Sequence, residues 1–306
     1  MEIYLAKTQG FCAGVAFAVD IVAQALKKYG APLYVYHEIV HNTSVVDGFR
    51  NEGVIFVEDI SAVPEGARVI FSAHGVPPDV IESAEARKLK FIDATCPLVT
   101  KVHNEALKFS ELNYETVLIG HKGHQELIGT EGYIAPDLRH IVENEKDIEA
   151  LNIDSKVTTA YITQTTLSVD DTTNMIEQLK RKFKNLVAPP RSDLCYATQN
   201  RQDAVKDLAA ICDVIIICGS SNSSNSNRLR ETGEKNGTIS YIIDTADELD
   251  MKLLDGKNKV GISSGASVPR VIVDHLVERI QRKYSGTVVH TFENPEKNII
   301  FALPKI

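Results

Sequence analysis

Short apolar runs alternate along this chain with longer stretches in which apolar residues return every three or four positions. The short runs have the length and β-branched content of strands, and the longer ones have the period of helices. Their regular succession predicts a parallel α/β protein. Six of the strand-like runs end in a polar cluster. PLYVYHEIVHN (32–42) ends near His41, ARVIFSAHGVPP (67–78) at His74, and ETVLIGHKGHQE (115–126) at His121, His124 and Glu126. TAYITQTTLS (159–168) ends in hydroxyls and Gln164, while DVIIICGSSNSSNSN (213–227) and NKVGISSGASVP (258–269) end in glycine, serine and asparagine. Ligands of open α/β sheets bind beyond the carboxyl ends of the strands. Six such ends, polar but poor in charge, predict one shared pocket.

Three helix-like stretches share a further feature, because each opens on a cysteine. Cys12 precedes Val15, Val19, Val22 and Leu26; Cys96 precedes Val99, Val102, Leu107 and Phe109; Cys195 precedes Ala204, Val205, Leu208 and Cys212. Pro97 suits a first helical position. This repeat divides the chain into three α/β units, 1–95, 96–193 and 194–306, each offering one thiol. NLVAPPRSDL (185–194), with its paired prolines, reads as the clearest linker.

Composition narrows the class. A chain of 306 residues can bury about three quarters of its unfolded surface, and its 43% apolar and 24% charged residues suit a globular protein. The net charge of −8 argues against a nucleic-acid surface. An anionic ligand would need a locally dipolar or positive pocket. MEIYLAKTQG enters a strand-like alternation at once, without the basic start and apolar stretch of a secretory signal. VIIIC (214–218) is as long as any uninterrupted apolar run, far short of the ~18 residues of a membrane span. A cytoplasmic protein without a membrane partner is expected. Five widely spaced cysteines in such a chain point to thiol, metal or cluster chemistry rather than a disulfide framework.

A helix N-terminus stabilises an anion by ~0.3–1 kcal/mol. It can also draw a thiol pKa from ~8.5 into the range ~3.5–7.5. Cys12 in QGFCAGV, Cys96 in ATCPLV and Cys195 in DLCYATQN fit this role. Cys212 and Cys218 lie in AAICDVIIICG and read as buried, inert thiols. Three converging thiolates could hold zinc together with a histidine or water, or a [4Fe–4S] cluster with one iron free of protein ligands. No C-x-x-C pair of a structural zinc site is present, and ligands from three separate units suit a cluster better.

The chain resembles the IspH/LytB family of 4-hydroxy-3-methylbut-2-enyl diphosphate reductases. The resemblance rests on GFCAGV, HEIVHN, FSAHGV, DATCPLVTKVH, IGHKGHQE, TQTTLS, CYATQNRQ, GSSNSSNSNRL and SSGAS, which occur in that order across nearly the whole chain. It implies three α/β units in a pseudo-three-fold arrangement around a central cavity. It implies one [4Fe–4S] cluster held by Cys12, Cys96 and Cys195. It also implies reductive removal of the C4 hydroxyl of an allylic diphosphate, with two electrons and two protons taken up. Isopentenyl and dimethylallyl diphosphate are the products, in the last step of the methylerythritol phosphate route. A flavodoxin or ferredoxin would supply the electrons.

Glu126 matches the acid that protonates the leaving hydroxyl, and Thr165 matches the residue that bonds that hydroxyl or a nearby water. His41, His74 and His124 suit the diphosphate as ring N–H donors, with His124 also at the catalytic end. Ser223, Ser224, Asn225 and Ser267 add hydroxyl and amide donors, and helix starts nearby add backbone N–H groups. His37, His103 and His121 take no direct role, and His140 and His275 read as surface residues. The competing reading is an iron–sulfur dehydratase or a quinolinate-synthase-like enzyme, which would need no net electrons. A cluster-bearing sensor and a zinc hydrolase are weaker alternatives.

Overall fold

The computed structural model describes residues 1–304 and 306. The chain begins with β1 (Glu2–Leu5), α1 (Ala13–Tyr29), β2 (Leu33–Tyr36), α2 (Thr43–Asn51), β3 (Val54–Val57), β4 (Arg68–Phe71), α3 (Pro78–Ala86) and β5 (Lys90–Asp93). It continues with α4 (Pro97–Glu111), β6 (Glu115–Ile119), α5 (Gln125–Glu131), β7 (Arg139–Val142), α6 (Glu145–Ala150), β8 (Thr159–Thr163), α7 (Val169–Lys182) and β9 (Leu186–Val187). It ends with α8 (Tyr196–Ala209), β10 (Val214–Cys218), α9 (Ser224–Lys235), β11 (Ser240–Ile243), β12 (Lys259–Ser264), α10 (Arg270–Lys283) and β13 (Val288–His290).

The strands form three sheets, and every pairing is parallel. Their orders are β11-β10-β12-β1-β13, β3-β2-β4-β5 and β7-β6-β8-β9. These are the three α/β units that the sequence pattern predicts. Strand β1 departs from the division at residue 95: it pairs with β12 and β13 in the last sheet. Sequence position misleads here, because a parallel strand can be supplied from any distance along the chain.

The chain packs as two compact units, one of Met1–Ala16, Val40–Phe49 and Tyr196–Phe301, the other of Phe17–Ile39, Arg50–Cys195 and Ala302–Ile306. The first holds the five-stranded sheet. Val214, Ile216 and Cys218 of β10 face Val273, Leu276 and Ile280 of α10. Ile215 and Ile217 point the other way, onto Ala204, Val205 and Leu208 of α8 and Leu229 of α9. A strand covered on both faces must be apolar throughout, which is why VIIIC shows no alternation.

The second unit holds both four-stranded sheets. Val117 and Ile119 of β6 pack with Met175 and Leu179 of α7. Leu118 turns to Val102, Ala106 and Phe109 of α4 and Leu127 of α5. Val69 and Phe71 of β4 pack on Val80 and Ala84 of α3.

The buried helix faces depart in part from the apolar residues that the spacing picks out, at three of four in α1 and only at Leu107 in α4, where Val99, Val102 and Phe109 are buried. Helix α1 buries Ala18, Ile21, Val22 and Ala25, leaving Val15, Val19 and Leu26 half-buried. In α4 Ala106 is buried while Leu107 is 43% exposed. Small alanines occupy the close contacts, so the largest side chains did not mark the buried stripe.

The predicted linker is partly structure. It begins with β9, which pairs with β8, and it ends in a buried Asp193. Among the described residues no helix is long and apolar enough to cross a membrane.

Ile262 is fully buried on β12, with β10 and β1 on either side. Ile262→Ala removes three carbons from this packed face, and a loss of about 2–5 kcal/mol is expected in urea unfolding.

Candidate active site

All six polar-ended runs are parallel strands, β2, β4, β6, β8, β10 and β12. Each of the three singled-out cysteines opens a helix. Cys12 precedes α1, Cys96 is the N-cap of α4 and Cys195 precedes α8. All three are half-buried, whereas Cys212 and Cys218 are buried, their thiols pushed up to about 12 chiefly by loss of water.

In the two-sheet unit, the turns after β4, β6 and β8 carry the chemistry. Glu126 lies in the first turn of α5 and is 3% exposed. Thr165, beyond β8, holds both of its carboxyl oxygens. Its backbone N–H donates to Oε1 at 2.6 Å and its hydroxyl to Oε2 at 2.9 Å. Burial raises the Glu126 pKa to about 7, with the Asp193 carboxylate adding to the rise and the two Thr165 bonds opposing it. The pair therefore sits where a carboxyl is a proton donor and its conjugate base is an acceptor at neutral pH.

His124 caps α5 with an imidazole: its Nδ1 accepts from the Glu126 backbone N–H at 3.2 Å. That bond leaves the proton of a neutral ring on Nε2. His74, three residues beyond β4, stands edge-on to His124 with ring centroids 6.1 Å apart. The backbone at Gly75 (φ +79°) lies so close to His103 that a Cβ there would come within 2.4 Å of its Cε1. His103 itself is buried and stacked on Tyr133 at 4.5 Å, and burial depresses its pKa to about 4. A neutral wall results rather than a second acid. His140 is half-buried on β7 and bonds Glu115 at 2.7 Å, so it is less a surface residue than the sequence suggests. His275 is exposed.

Cys195 is tied to this group, since its N–H donates to the Thr165 carbonyl at 3.2 Å. The Cys96 N–H donates to Ala73 O at 3.0 Å, beside His74. Sequence reading missed the ion pair that joins the two cysteine segments. Lys101, one turn into α4, reaches Asp193 Oδ1 at 2.9 Å and the carbonyls of Arg191 and Ser192. Asp193 Oδ2 accepts the Thr163 N–H at 3.0 Å. The only trace in the sequence is an acidic residue two places before Cys195.

In the five-sheet unit, Ser223 caps α9, its hydroxyl accepting from the Ser226 N–H. Ser224 and Asn225 form the first turn. Asn225 is 4% exposed, and among the described residues neither its Nδ2 nor its Oδ1 has a hydrogen-bond partner. Nδ2 of the buried Asn42, next to His41, is likewise unpartnered. Buried amides are ordinarily bonded, so these are the atoms a polar ligand would satisfy. Ser267, buried before α10, donates to His41 O at 2.9 Å and so joins the loops after β2 and β12. Gly265 admits the close approach: a Cβ there would meet the Ser226 hydroxyl at 2.2 Å. The Cys12 N–H donates to Ala266 O at 3.0 Å, and its sulfur accepts from the Val15 N–H at 3.5 Å.

Among the described residues no three Cys, His, Asp or Glu side chains are gathered closely enough to hold a metal ion by themselves. Each of the three thiols nonetheless has the chemistry of a metal or cluster ligand, half-buried at a helix N-terminus. At Cys12 burial pushes the thiol up overall, against the opposing pull of the Arg201 charge and the N–H groups of Val15 and Gly14.

The LytB protein family matches residues 3–281. A protein of Acinetobacter baylyi named 4-hydroxy-3-methylbut-2-enyl diphosphate reductase is 49% identical over all of this chain and 97% of its own. One of the same name from Pseudomonas aeruginosa is 49% identical over all of this chain and 98% of its own. The solved structure of E-1-hydroxy-2-methyl-but-2-enyl-4-diphosphate reductase from Plasmodium falciparum has a TM-score of 0.96 at 39% identity, covering 99% of this chain and 95% of that one. A second solved reductase, described as the terminal enzyme of the non-mevalonate pathway, has a TM-score of 0.65 at 35% identity, covering 92% of this chain and all of that one.

Thr165→Val deletes the hydroxyl bond to Glu126 and keeps the backbone one. The Glu126 carboxyl is then expected to titrate above about 7, read from its side-chain carbon resonance across pH.

Proposed function

The chain belongs to the LytB family, and from that premise we propose that it removes the C4 hydroxyl of 4-hydroxy-3-methylbut-2-enyl diphosphate reductively. It gives isopentenyl and dimethylallyl diphosphate in the methylerythritol phosphate route to isoprenoids. The substrate gains two electrons and two protons; one proton leaves with the hydroxyl as water and the other goes to carbon, at one end of the allylic unit or the other. The observation that carries the reading is the buried Glu126 carboxyl, held near pH 7 and bonded on both oxygens by Thr165.

Cys12, Cys96 and Cys195 are the residues that would hold a [4Fe–4S] cluster, their thiols each at a helix start. When bound, the cluster supplies the electrons one at a time and an iron able to polarise the hydroxyl as a Lewis acid.

The remaining steps belong to side chains. Glu126, protonated, passes its proton through the Thr165 hydroxyl to the leaving oxygen. Thr165 relays it by reversing the bond it makes to the ionised carboxyl: with Glu126 protonated on Oε2, the carboxyl O–H donates to the Thr165 hydroxyl oxygen across the same 2.9 Å, and the Thr165 O–H turns to the leaving oxygen. His124 has Nδ1 engaged by the Glu126 backbone N–H, which leaves Nε2 as the ring atom to donate to the substrate.

The diphosphate is held by His41, His74 and His124 and by the amide and hydroxyls of Asn225, Ser223, Ser224 and Ser267. Support for the amide role comes from Asn225, a buried donor with no protein partner. Hydrogen bonds to a charged group contribute about 1.5–3 kcal/mol each. Several of them replace the Lys and Arg that an anion usually demands. A reduced carrier protein, flavodoxin or ferredoxin, supplies the electrons, and the reaction takes place in the cytoplasm. The dehydratase alternative is disfavoured because nothing in the chain's family resemblance points to it.

Four measurements test the reading. Protein purified without oxygen is expected to carry about three to four irons with matching sulfide; zinc without sulfide would overturn it. Turnover of the allylic diphosphate should require a reductant. Glu126→Gln should keep the iron and lose about 10²–10⁴-fold in rate. The sign of the pH dependence follows from the raised pKa. The acid form of Glu126 is filled below about 7 and empties above it, so the rate falls as pH rises through that value. In Glu126→Gln this limb should vanish.

A further inference from the structure

The motif CYATQNRQ contains a residue for which the reaction above has no use. Arg201, on α8, has no solvent exposure and is the largest fully buried side chain. Its Nη1 donates to Glu296 at 3.1 and 3.0 Å and to Ala197 O at 3.2 Å, and its Nη2 donates to Gly10 O at 3.0 Å. Its Nε–H is buried with no protein partner. Glu296, from the segment beyond β13, is 8% exposed and also accepts from Asn200 at 3.1 Å.

A buried ion pair is a poor source of stability, because stripping water from two charges costs about as much as their attraction returns. An apolar pair would serve the fold as well. What this pair touches is the Cys12 loop. Gly10 stands at φ +76°, with its N–H on Ser264 Oγ at 3.1 Å and its carbonyl on Arg201. The Cys12 N–H on Ala266 O completes the clamp. Arg201 thus fixes the backbone two residues from the thiol, and its charge reaches Cys12.

We propose that Arg201, anchored by Glu296, is a positioning and charge-balancing residue for the Cys12 side of the iron–sulfur cluster, an inference that rests on the cluster assignment above. Net charge and hydrogen bonds to sulfur are the levers that set such a cluster's reduction potential. A cation held beside one thiolate favours the more negative, reduced state. The carboxylate that anchors it works in the opposite sense.

The test uses the full-length protein, loaded anaerobically, as the parent and as Arg201→Met, Arg201→Lys and Glu296→Gln. Iron and sulfide are counted, and the potential is read by a redox titration followed by electron paramagnetic resonance. Arg201→Met is expected to lower the potential by the equivalent of about tenfold in the equilibrium, 59 mV for one electron. Glu296→Gln is expected to raise it, and Arg201→Lys to stay near the parent. A merely structural pair would move both charge-removing variants the same way, and shifts of one sign, or none, overturn the inference. If Arg201→Met does not fold or load, Glu296→Gln decides alone: a rise supports the inference, and a fall or no change overturns it. A parent without iron and sulfide would overturn the cluster assignment itself and this inference with it, an outcome distinct from unchanged potentials on a loaded parent.

Discussion

In a parallel βα unit the carboxyl end of the strand and the amino end of the next helix meet in the same turn. Both leave unsatisfied backbone groups there: carbonyls from the strand, and three or four N–H groups from the helix. The turn must therefore be polar, yet it lies at the rim of a core buried on both faces. The helix-opening cysteines and the capping residues of this chain obey that constraint. Cys12, Cys96 and Cys195 stand where helix N–H groups are free, and so do Ser223 and His124, which spend a side-chain acceptor on capping. With helix N–H donors at its strand ends, a chain of net charge −8 can offer an anion donors other than lysine.

The same constraint explains where charge is tolerated inside. Glu126 is buried with Thr165 as its hydrogen-bonding partner at both oxygens, so its pKa rises. Asp193 is as deeply buried, but it has Lys101 and the Thr163 N–H. Two carboxyls in one unit thus have separate duties. Asp193 pairs with a lysine and ties two cysteine-bearing turns together, and Glu126, with no cation paired to it among the described residues, keeps its proton up to about pH 7. The Asp193 charge itself helps to hold the Glu126 proton. Pairs of titratable groups driven apart by their surroundings are how one pocket separates structure from proton transfer.

Sequence made legible whatever is local. The six strand ends and the three helix-opening cysteines depend on residues within one turn, and each lies where the pattern places it. Faces were less legible: α1 turns Ala18 and Ala25 inward, and alanine carries little hydrophobic signal. Long-range partners were not legible at all. Nothing near Arg201 announces Glu296, 95 residues later, and nothing in NLVAPPRSDL announces that its aspartate meets Lys101, 92 residues earlier. Strand β1 belongs to the last sheet for the same reason. Its apolar alternation fixes which residues point inward, whereas the partner strand is a matter of topology.

The choice of neutral donors also follows from the acid. A lysine or arginine beside Glu126 would bind phosphate more strongly through charge, and it would also draw the carboxyl back toward its ordinary range. A carboxyl deprotonated at neutral pH cannot give a proton to a leaving hydroxyl. Imidazoles avoid that conflict. His124 reaches the acid's own turn with an acceptor nitrogen toward the backbone, and burial keeps His103 neutral with a pKa near 4. Lysine 101, the cation in the same unit's cysteine turns, is occupied by Asp193 and two carbonyls. Restricting cations to paired positions is therefore what allows one buried glutamate to keep its proton up to about pH 7.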